Sequence, residues 1–267
     1  MTPHELLDHS DTGRLWPDTA GRPAYTDLTV AYRAALEVRA LRIARGETPC
    51  GYKVGFTNRN IWARYEVYAP IWGSVWNTTL SYSDSDGSGS LALAGLCQPR
   101  IEPEAVFGLA ATPRANAGVG ELFDALAWVA PGFEIVQSHR PLWKFSAAES
   151  VADGGLHARL FVGRQVPVAA LARDAHELQD VLARATVGLH KNGVLVEAGV
   201  GANVLDNPLL ALLHFLTELR ACPGAPELKA GDVVTTGTWT DAWPVAPGEQ
   251  WAAQFDAPLS PLTITFR

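Results

Sequence analysis

The segment RIEPEAVFGL, residues 100–109, combines two carboxylates with the apolar residues of a predicted strand. Glu102 and Glu104 are two positions apart, and side chains at this spacing in a strand project from the same face. Two negative charges so close together repel each other unless a cation or a proton lies between them. The segment therefore predicts either a metal site or two glutamates on a solvent-facing strand.

A third carboxylate, Glu134, occupies a second predicted strand, GFEIVQS, at residues 132–138. Apolar residues flank it on both sides, and a carboxylate on a half-buried strand needs a partner. Three hard oxygen ligands suit Mg²⁺ or Mn²⁺ and leave coordination positions for water and a chelating substrate. The alternative is a salt bridge from Glu134 to Arg100 or Arg140, because ion-pair networks resemble functional sites.

The composition is that of a globular protein with a substantial core. Of its 267 residues, 48% are hydrophobic and 18% are charged, which is too apolar for a disordered chain. The net charge is −7 and there is no basic stripe, so neither nucleic acid nor an anionic membrane is expected as a partner. The N-terminus lacks the basic and apolar parts of a secretory signal, and no apolar run is long enough to cross a bilayer. We therefore expect a cytoplasmic protein.

The pattern of secondary structure predicts an α+β fold rich in antiparallel strands, without regular βαβ alternation. A Gly/Ser-rich stretch at residues 81–90 indicates a surface turn or a linker. It divides the chain into an N-terminal helical and α+β region, residues 1–80, and a β-rich catalytic domain, residues 81–267. Helices are predicted at 28–45, 120–129 and 208–221, and a hairpin turn at Asn192-Gly193.

Two further segments carry candidate site residues. Lys53 lies in GYKVGF, residues 51–56, where it can point into a pocket and stabilise an enolate or act as a base. The alternative is a lysine on an edge strand that faces water. Thr235-Thr236-Gly237-Thr238 can bind a substrate carboxylate through its hydroxyls and amides, or it is an ordinary turn after a strand.

Several segments, in this order, resemble the 2-keto-4-pentenoate hydratase / 4-oxalocrotonate decarboxylase family of the fumarylacetoacetate hydrolase superfamily. The resemblance covers the chain from the first long helix to the C-terminus. It rests on Gly51-Tyr52-Lys53-Val54-Gly55, Glu102-Pro103-Glu104, Phe133-Glu134-Ile135-Val136-Gln137-Ser138, Val151-Ala152-Asp153, Asn192-Gly193, Asn207-Pro208, Ala230-Gly231-Asp232 and Thr236-Gly237-Thr238.

The resemblance implies a mixed β-sandwich/roll of the fumarylacetoacetate hydrolase type with a helical N-terminal region, and a homo-oligomer that is a dimer or a ring of dimers. It implies three sets of site residues: Glu102, Glu104 and Glu134 for the metal, Lys53 and Asp153 for catalysis, and Thr238, Gln137 and Phe56 for substrate binding. The chain departs from the family pattern in three places, with Gly154 after Asp153, Leu142 before Trp143, and Ala69 before Pro70.

The activity that the resemblance implies is a Mg²⁺- or Mn²⁺-dependent hydratase. It would add water to a small 2-hydroxy-2,4-dienoate, as in aromatic catabolism, and give a 4-hydroxy-2-oxo acid. The first alternative is a decarboxylase of a 4-oxalocrotonate-like 2-oxo diacid, which needs a place for a second carboxylate that Arg59, Arg64 or Arg140 could supply. Acylpyruvate-type C–C hydrolysis follows. It needs a His–Glu pair, and His4-Glu5 lies in an N-terminal segment without a supporting motif. The last is a metal-binding scaffold without turnover.

Overall fold

The computed structural model describes residues 1–17 and 22–267. In this part of the chain the α-helices are α1 (Pro3–Thr12), α2 (Leu28–Ala44), α3 (Trp62–Tyr65), α4 (Val119–Asp124), α5 (Ala147–Ala152), α6 (Ala175–Arg184) and α7 (Pro208–Ala221). Short 3₁₀ turns occur at Arg59–Ile61, Pro141–Trp143, Gly154–Leu156, Val168–Ala170 and Gly201–Asn203.

The strands form two sheets. They are β1 (Pro49–Gly55), β2 (Ile71–Trp76), β3 (Leu80–Tyr82), β4 (Ser90–Leu91), β5 (Arg100–Leu109), β6 (Leu126–Val136), β7 (His157–Val162), β8 (Val166–Pro167), β9 (Thr186–Lys191), β10 (Val194–Val200), β11 (Val233–Thr238), β12 (Trp243–Pro244), β13 (Gln250–Phe255) and β14 (Leu262–Phe266). The large sheet has the order β2-β1-β11-β5-β6-β7-β3, with β12 added to β5 and β8 to β6. The small sheet has the order β10-β9-β13-β14-β4. The predicted α+β fold is confirmed.

The two faces of β5 have different surroundings. Ile101, Ala105 and Phe107 point into the main core, which also contains Trp251 of the small sheet and Phe215 of α7. Residues at the alternate positions point to the opposite face, because successive side chains of a strand alternate. This second face carries the two glutamates of β5.

The large sheet curves so that its second face becomes concave. Strands β2 and β7 contact each other, although β1, β11, β5 and β6 lie between them in the sheet order. A small apolar cluster that includes Val75, Val106, Ala130 and Leu160 packs inside this curve. The concave interior is therefore enclosed by the protein's own strands.

Local signals in the sequence explain several of these elements. The Asp27 side chain accepts a hydrogen bond from the Val30 amide and caps α2, and Asn207 caps α7 in the same way. Asn192 and Gly193 both have positive φ, as a two-residue hairpin turn requires. The predicted helices at 28–45 and 208–221 and the predicted hairpin are confirmed.

The helix predicted at residues 120–129 is wrong. Helix α4 ends at Asp124, and β6 begins at Leu126 and continues through Pro131. Pairing along β5 outweighs the local helical pattern, since Val129 pairs with Phe107 in the interior of the sheet. Pro131 lacks an amide hydrogen, but its carbonyl accepts a hydrogen bond from the Gly163 amide at 2.8 Å.

The proposed boundary at residue 80 stays a prediction. Strands β1 and β2 precede it, and they belong to the same sheet as β5 and β6. The Gly/Ser-rich stretch connects β3 of the large sheet to β4 of the small one. In the N-terminal part, α1, α2 and α5 share a separate small core that contains Leu6, Ala31 and Val151. Within the described residues, no helix has both the length and the apolar character that a membrane span needs.

We expect Asp27→Ala to lower the free energy of unfolding by about 1 kcal/mol, because α2 loses the side chain that caps its N-terminus. Glu37→Ala, at an exposed position of the same helix, is the control and should have little effect. Urea denaturation followed by circular dichroism measures both. Equal stability of the wild type and Asp27→Ala would contradict the role of the cap.

Candidate active site

The three predicted metal ligands converge on the concave face of the large sheet. Glu102 of β5 lies directly opposite Glu134 of β6 in the antiparallel register, and Glu104 follows on the same face. One carboxylate oxygen from each residue lies within 4.8 Å of the other two. Glu104 and Glu134 are fully buried and Glu102 is partly exposed. Residues that are distant along the chain therefore form one acidic cluster.

Part of this cluster has hydrogen-bond donors and part has none. The Gly237 amide donates to Glu104 Oε2 at 2.7 Å, and His157 Nδ1 lies 2.9 Å from Glu134 Oε1. Of the other oxygens of the two buried residues, Glu104 Oε1 has no hydrogen-bond partner in the described part of the chain, and Glu134 Oε2 has no well-aligned hydrogen bond there but lies 3.4 Å from the Lys53 ammonium. A buried carboxylate oxygen without a donor is costly, and a hard cation satisfies it.

The pKa values of two of the glutamates reflect an excess of negative charge in the cluster. Burial and the nearby charge of Glu134 raise the pKa of Glu102 to about 7, although Lys53 opposes the shift. Burial, Glu134 and Glu102 raise the pKa of Glu104 well above its usual range. The fold therefore brings together more negative charge than it neutralises, and a cation or a proton has to supply the difference.

Lys53 of β1 is the cationic side chain beside this cluster. It is only 3% exposed, its Nζ donates to the Gly155 carbonyl at 2.7 Å, and it lies 3.4 Å from Glu134 Oε2. Burial lowers the pKa of Lys53, but the coulombic effect of the three glutamates raises it more, so the group stays an ammonium. The alternative interpretation, in which Lys53 lies on an edge strand and faces water, is wrong.

Two neighbours hold the glutamates in place. His157 of β7 is buried, with Nδ1 against Glu134 and Nε2 2.9 Å from the Thr79 hydroxyl. Burial lowers its pKa, so the ring stays neutral beside the carboxylate. Gly237 has a φ of 101°, and a Cβ there would lie 1.8 Å from Thr57 Oγ1. Only glycine can therefore present its amide to Glu104 at this position.

A cleft of about 220 Å³ opens beside the cluster. Lys53 and Glu102 form part of its lining, together with two of the predicted substrate-binding residues, Phe56 and Thr238. Thr238 Oγ1 accepts a hydrogen bond from the Thr240 amide at 3.2 Å. The cleft gives a small molecule access to the exposed edge of the carboxylate cluster.

The structure does not bring the other two predicted residues, Asp153 and Gln137, to this cleft. Asp153 lines a separate cavity, and its carboxylate is hydrogen-bonded to the backbone amide and the imidazole ring of His139. Gln137 is buried, and its Oε1 accepts a hydrogen bond from the Cys97 amide at 3.0 Å. Both side chains stabilise the surrounding loops in the structure.

Comparison with known proteins identifies the family. The chain is 32% identical to 2-hydroxyhexa-2,4-dienoate hydratase of Comamonas testosteroni, over 89% of this chain and 85% of that protein. It is 31% identical to 4-oxalocrotonate decarboxylase of Pseudomonas sp. strain CF600, over 86% of this chain and 83% of that protein. No family model matches the chain.

The protein belongs to the 2-keto-4-pentenoate hydratase / 4-oxalocrotonate decarboxylase family. Its fold is that of 4-oxalocrotonate decarboxylase from Pseudomonas putida G7, a structure in complex with magnesium and adipate. The TM-score is 0.87 at 24% sequence identity, and the match covers 99% of this chain and 95% of the other. The predicted fold of the fumarylacetoacetate hydrolase type is thus confirmed.

In this family member, the outer part of the cleft contains residues that the sequence analysis did not place there. They are Tyr65, Arg100, Trp143 and Phe145, and they lie beside Arg64, which the sequence suggested for a second carboxylate. The rings of Tyr65 and Phe145 are stacked, with centroids 5.7 Å apart. A signal existed for Arg100, because it precedes Glu102 by two positions and so shares its face of the strand. The aromatic residues carried no signal, since tryptophan and phenylalanine more often pack a core.

The salt bridge considered as an alternative for Glu134 is wrong. Arg140 lies 3.2 Å from Glu149, and Arg100 makes no ion pair with a carboxylate in the described residues. Among the described residues, Lys53 and His157 are the side chains whose nitrogen atoms come within ion-pair distance of Glu134. The cluster therefore keeps its excess of negative charge.

We expect Glu104→Gln to stabilise this protein in the absence of metal. The substitution removes one of three mutually repelling carboxylates and keeps an acceptor for the Gly237 amide. The free energy of unfolding should rise by on the order of 1 kcal/mol. Thermal unfolding in the presence of a chelator at pH 8 measures it, with the exposed Glu37→Gln as control. A lower stability of Glu104→Gln than of the control would show that the cluster is not strained by its charge.

Proposed function

We propose that the protein is a divalent-metal-dependent hydratase that adds water to a small 2-hydroxy-2,4-dienoate and gives a 4-hydroxy-2-oxo acid. One observation carries the proposal, namely the convergence of Glu102, Glu104 and Glu134 at a buried place where Glu104 Oε1 has no hydrogen-bond partner among the described residues. The names of the relatives support the reaction class, since both hydratases and decarboxylases of such acids are among them. The homo-oligomer and the cytoplasmic location remain predictions from the sequence.

The donor set fits Mg²⁺ or Mn²⁺ as the proposed ion. All three side chains offer hard oxygen atoms, and in the described part of the chain no sulfur or imidazole nitrogen completes the cluster. A bound ion of this kind would supply Lewis-acid stabilisation of the charge that develops on the substrate's 2-oxo group. Glu102 is the one of the three that lines the cleft, so a substrate in the cleft would approach the cluster from this side.

Lys53 would stabilise the dienolate that forms when the 2-hydroxydiene ketonises. Its ammonium is buried and fixed by the Gly155 carbonyl, so it needs no rearrangement to meet a developing negative charge. Thr238, at the same cleft, can donate its hydroxyl to the substrate carboxylate.

Decarboxylation of a vinylogous 2-oxo diacid is the second candidate, since it needs the same stabilisation of an enolate. Arg64 and Arg100 in the cleft lining favour it, because the reaction requires a place for a second carboxylate. The hydrolase alternative has less support. His4 and Glu5 lie on α1, where Glu5 is hydrogen-bonded to Thr2 in the helix cap.

An ultraviolet assay with 2-hydroxypenta-2,4-dienoate and 2-oxohex-3-enedioate separates the two candidates. Loss of dienoate absorbance with a 4-hydroxy-2-oxo acid as product is the expected result, and it should depend on added Mg²⁺ or Mn²⁺. Evolved CO₂ from the diacid would assign the decarboxylase instead. Turnover that is unchanged by complete removal of divalent metal would contradict both.

We expect Lys53→Ala to lower kcat by about 100-fold or more while Mn²⁺ binding is retained, because the lysine stabilises charge that develops only during the reaction. The control is Lys191→Ala, which removes a surface lysine that pairs with Glu249. Steady-state kinetics and Mn²⁺ titration by electron paramagnetic resonance measure the two effects. Unchanged turnover in Lys53→Ala would show that Lys53 has no role in the mechanism. Absence of turnover in the wild-type protein would favour a non-catalytic scaffold.

A further inference from the structure

We propose that Thr79 and His157 form a chain of two hydrogen bonds that fixes the orientation of Glu134, and that this chain sets the affinity of the carboxylate cluster for its metal ion. Thr79 donates to His157 Nε2, and His157 Nδ1 donates to Glu134 Oε1. Both are positioning residues, because neither lines the cleft in the described part of the protein. The inference rests on the proposed function in one respect, since it takes the cluster as the metal site.

A bulge in β7 turns His157 toward the cluster. Consecutive residues of β6 pair with Arg159 and His157, so Ala158 between them is the extra residue of the bulge. In a ladder without this extra residue, His157 would point to the opposite face of the sheet, because side chains alternate along a strand. The bulge therefore places the ring on the face that carries Glu134, which is a recognised way of aiming a side chain at a functional site.

The chemistry of the three groups sets the direction of both hydrogen bonds. His157 Nδ1 lies 2.9 Å from Glu134 Oε1, and the two side chains are 3% and 0% exposed. An ionised carboxylate can only accept a hydrogen bond, so Nδ1 carries the hydrogen of the neutral ring. The other nitrogen, Nε2, then has a lone pair and lies 2.9 Å from the Thr79 hydroxyl. The hydroxyl therefore donates to the ring.

The turn between β2 and β3 leaves the hydrogen of the Thr79 hydroxyl available for this bond. The oxygen of the hydroxyl accepts a hydrogen bond from the Trp76 amide at 3.0 Å. The Trp76 carbonyl lies 3.2 Å from the hydroxyl, but it already accepts from the Thr79 amide at 2.9 Å. The ring nitrogen of His157 is the closer acceptor and has no other donor among the described residues. Thr79 thus selects the tautomer that Glu134 requires.

Glu134 needs this second contact because Lys53 also attracts it. The Lys53 ammonium lies 3.4 Å from Glu134 Oε2, and both side chains are buried. Opposite charges attract more strongly in a buried environment than in water, so the carboxylate is drawn toward Lys53. The hydrogen bond from His157 to the other oxygen opposes this rotation. Loss of such an outer partner typically lowers the metal affinity of a site by about tenfold to a hundredfold.

The first test is Mn²⁺ affinity, measured by electron paramagnetic resonance titration of the full-length protein. We expect His157→Phe to weaken Mn²⁺ binding by about tenfold to a hundredfold. His157→Asn should retain most of the affinity, because an asparagine amide can place an N–H donor near the position of Nδ1. Thr79→Val should weaken binding by roughly threefold to tenfold, since the ring is then free to adopt the other tautomer, and Thr79→Ser should bind as the wild type does.

A double variant separates this role of Thr79 from support of the turn. The asparagine amide has no tautomer to select, so Thr79→Val should leave Mn²⁺ affinity unchanged when it is combined with His157→Asn. An equal loss of affinity in both backgrounds would overturn the proposal, because Thr79 would then act only through the turn. Thr78→Val is the matched control and should bind Mn²⁺ as the wild type does, since the Thr78 hydroxyl donates to Glu47 at 2.7 Å.

Nitrogen NMR spectroscopy of the imidazole rings in the metal-free protein identifies the tautomer directly. We expect the Nδ1–H tautomer for His157 in the wild type and a larger share of Nε2–H in Thr79→Val. An Nε2–H or doubly protonated ring in the wild type would overturn the proposal. Failure of the wild type to bind Mn²⁺, together with the expected tautomer, would instead contradict the metal site of the proposed function and leave the two hydrogen bonds standing.

Discussion

The fold places three carboxylates on one enclosed face of a sheet and does not neutralise them. Glu102 and Glu134 face each other across β5 and β6, and Glu104 is buried beside them. Lys53 supplies one positive charge against three negative ones, and the buried Glu104 Oε1 has no hydrogen-bond partner in the described residues. Such an arrangement is stable only with a bound cation or a proton, and this requirement connects the fold to the chemistry.

The alternation of side chains along β5 serves both stability and function. One face of the strand contributes Ile101, Ala105 and Phe107 to the main core. The other face carries Arg100 and Glu102, which line the cleft, and the buried Glu104 beside them. Because the core fixes the strand from behind, the site does not depend on loop positions for the spacing of its charged groups.

The sequence contained the spacing of the site but not its register. The i, i+2 pair Glu102 and Glu104 was predictable from the strand period, whereas the pairing of Glu102 with Glu134 depends on how β5 and β6 align. The family resemblance implied a catalytic role for Asp153, but its carboxylate is hydrogen-bonded to His139 and lies outside the cleft. The partner of a buried carboxylate is set by tertiary packing, which a single sequence does not encode locally.

We propose that one divalent cation binds between Glu102, Glu104 and Glu134. Anomalous X-ray diffraction from a crystal grown with Mn²⁺ can locate this cation. We expect one strong peak in contact with an oxygen atom of each of the three side chains. Full Mn²⁺ loading of the crystal with the peak elsewhere, or with Glu134 turned away from it, would show that these glutamates do not form the metal site.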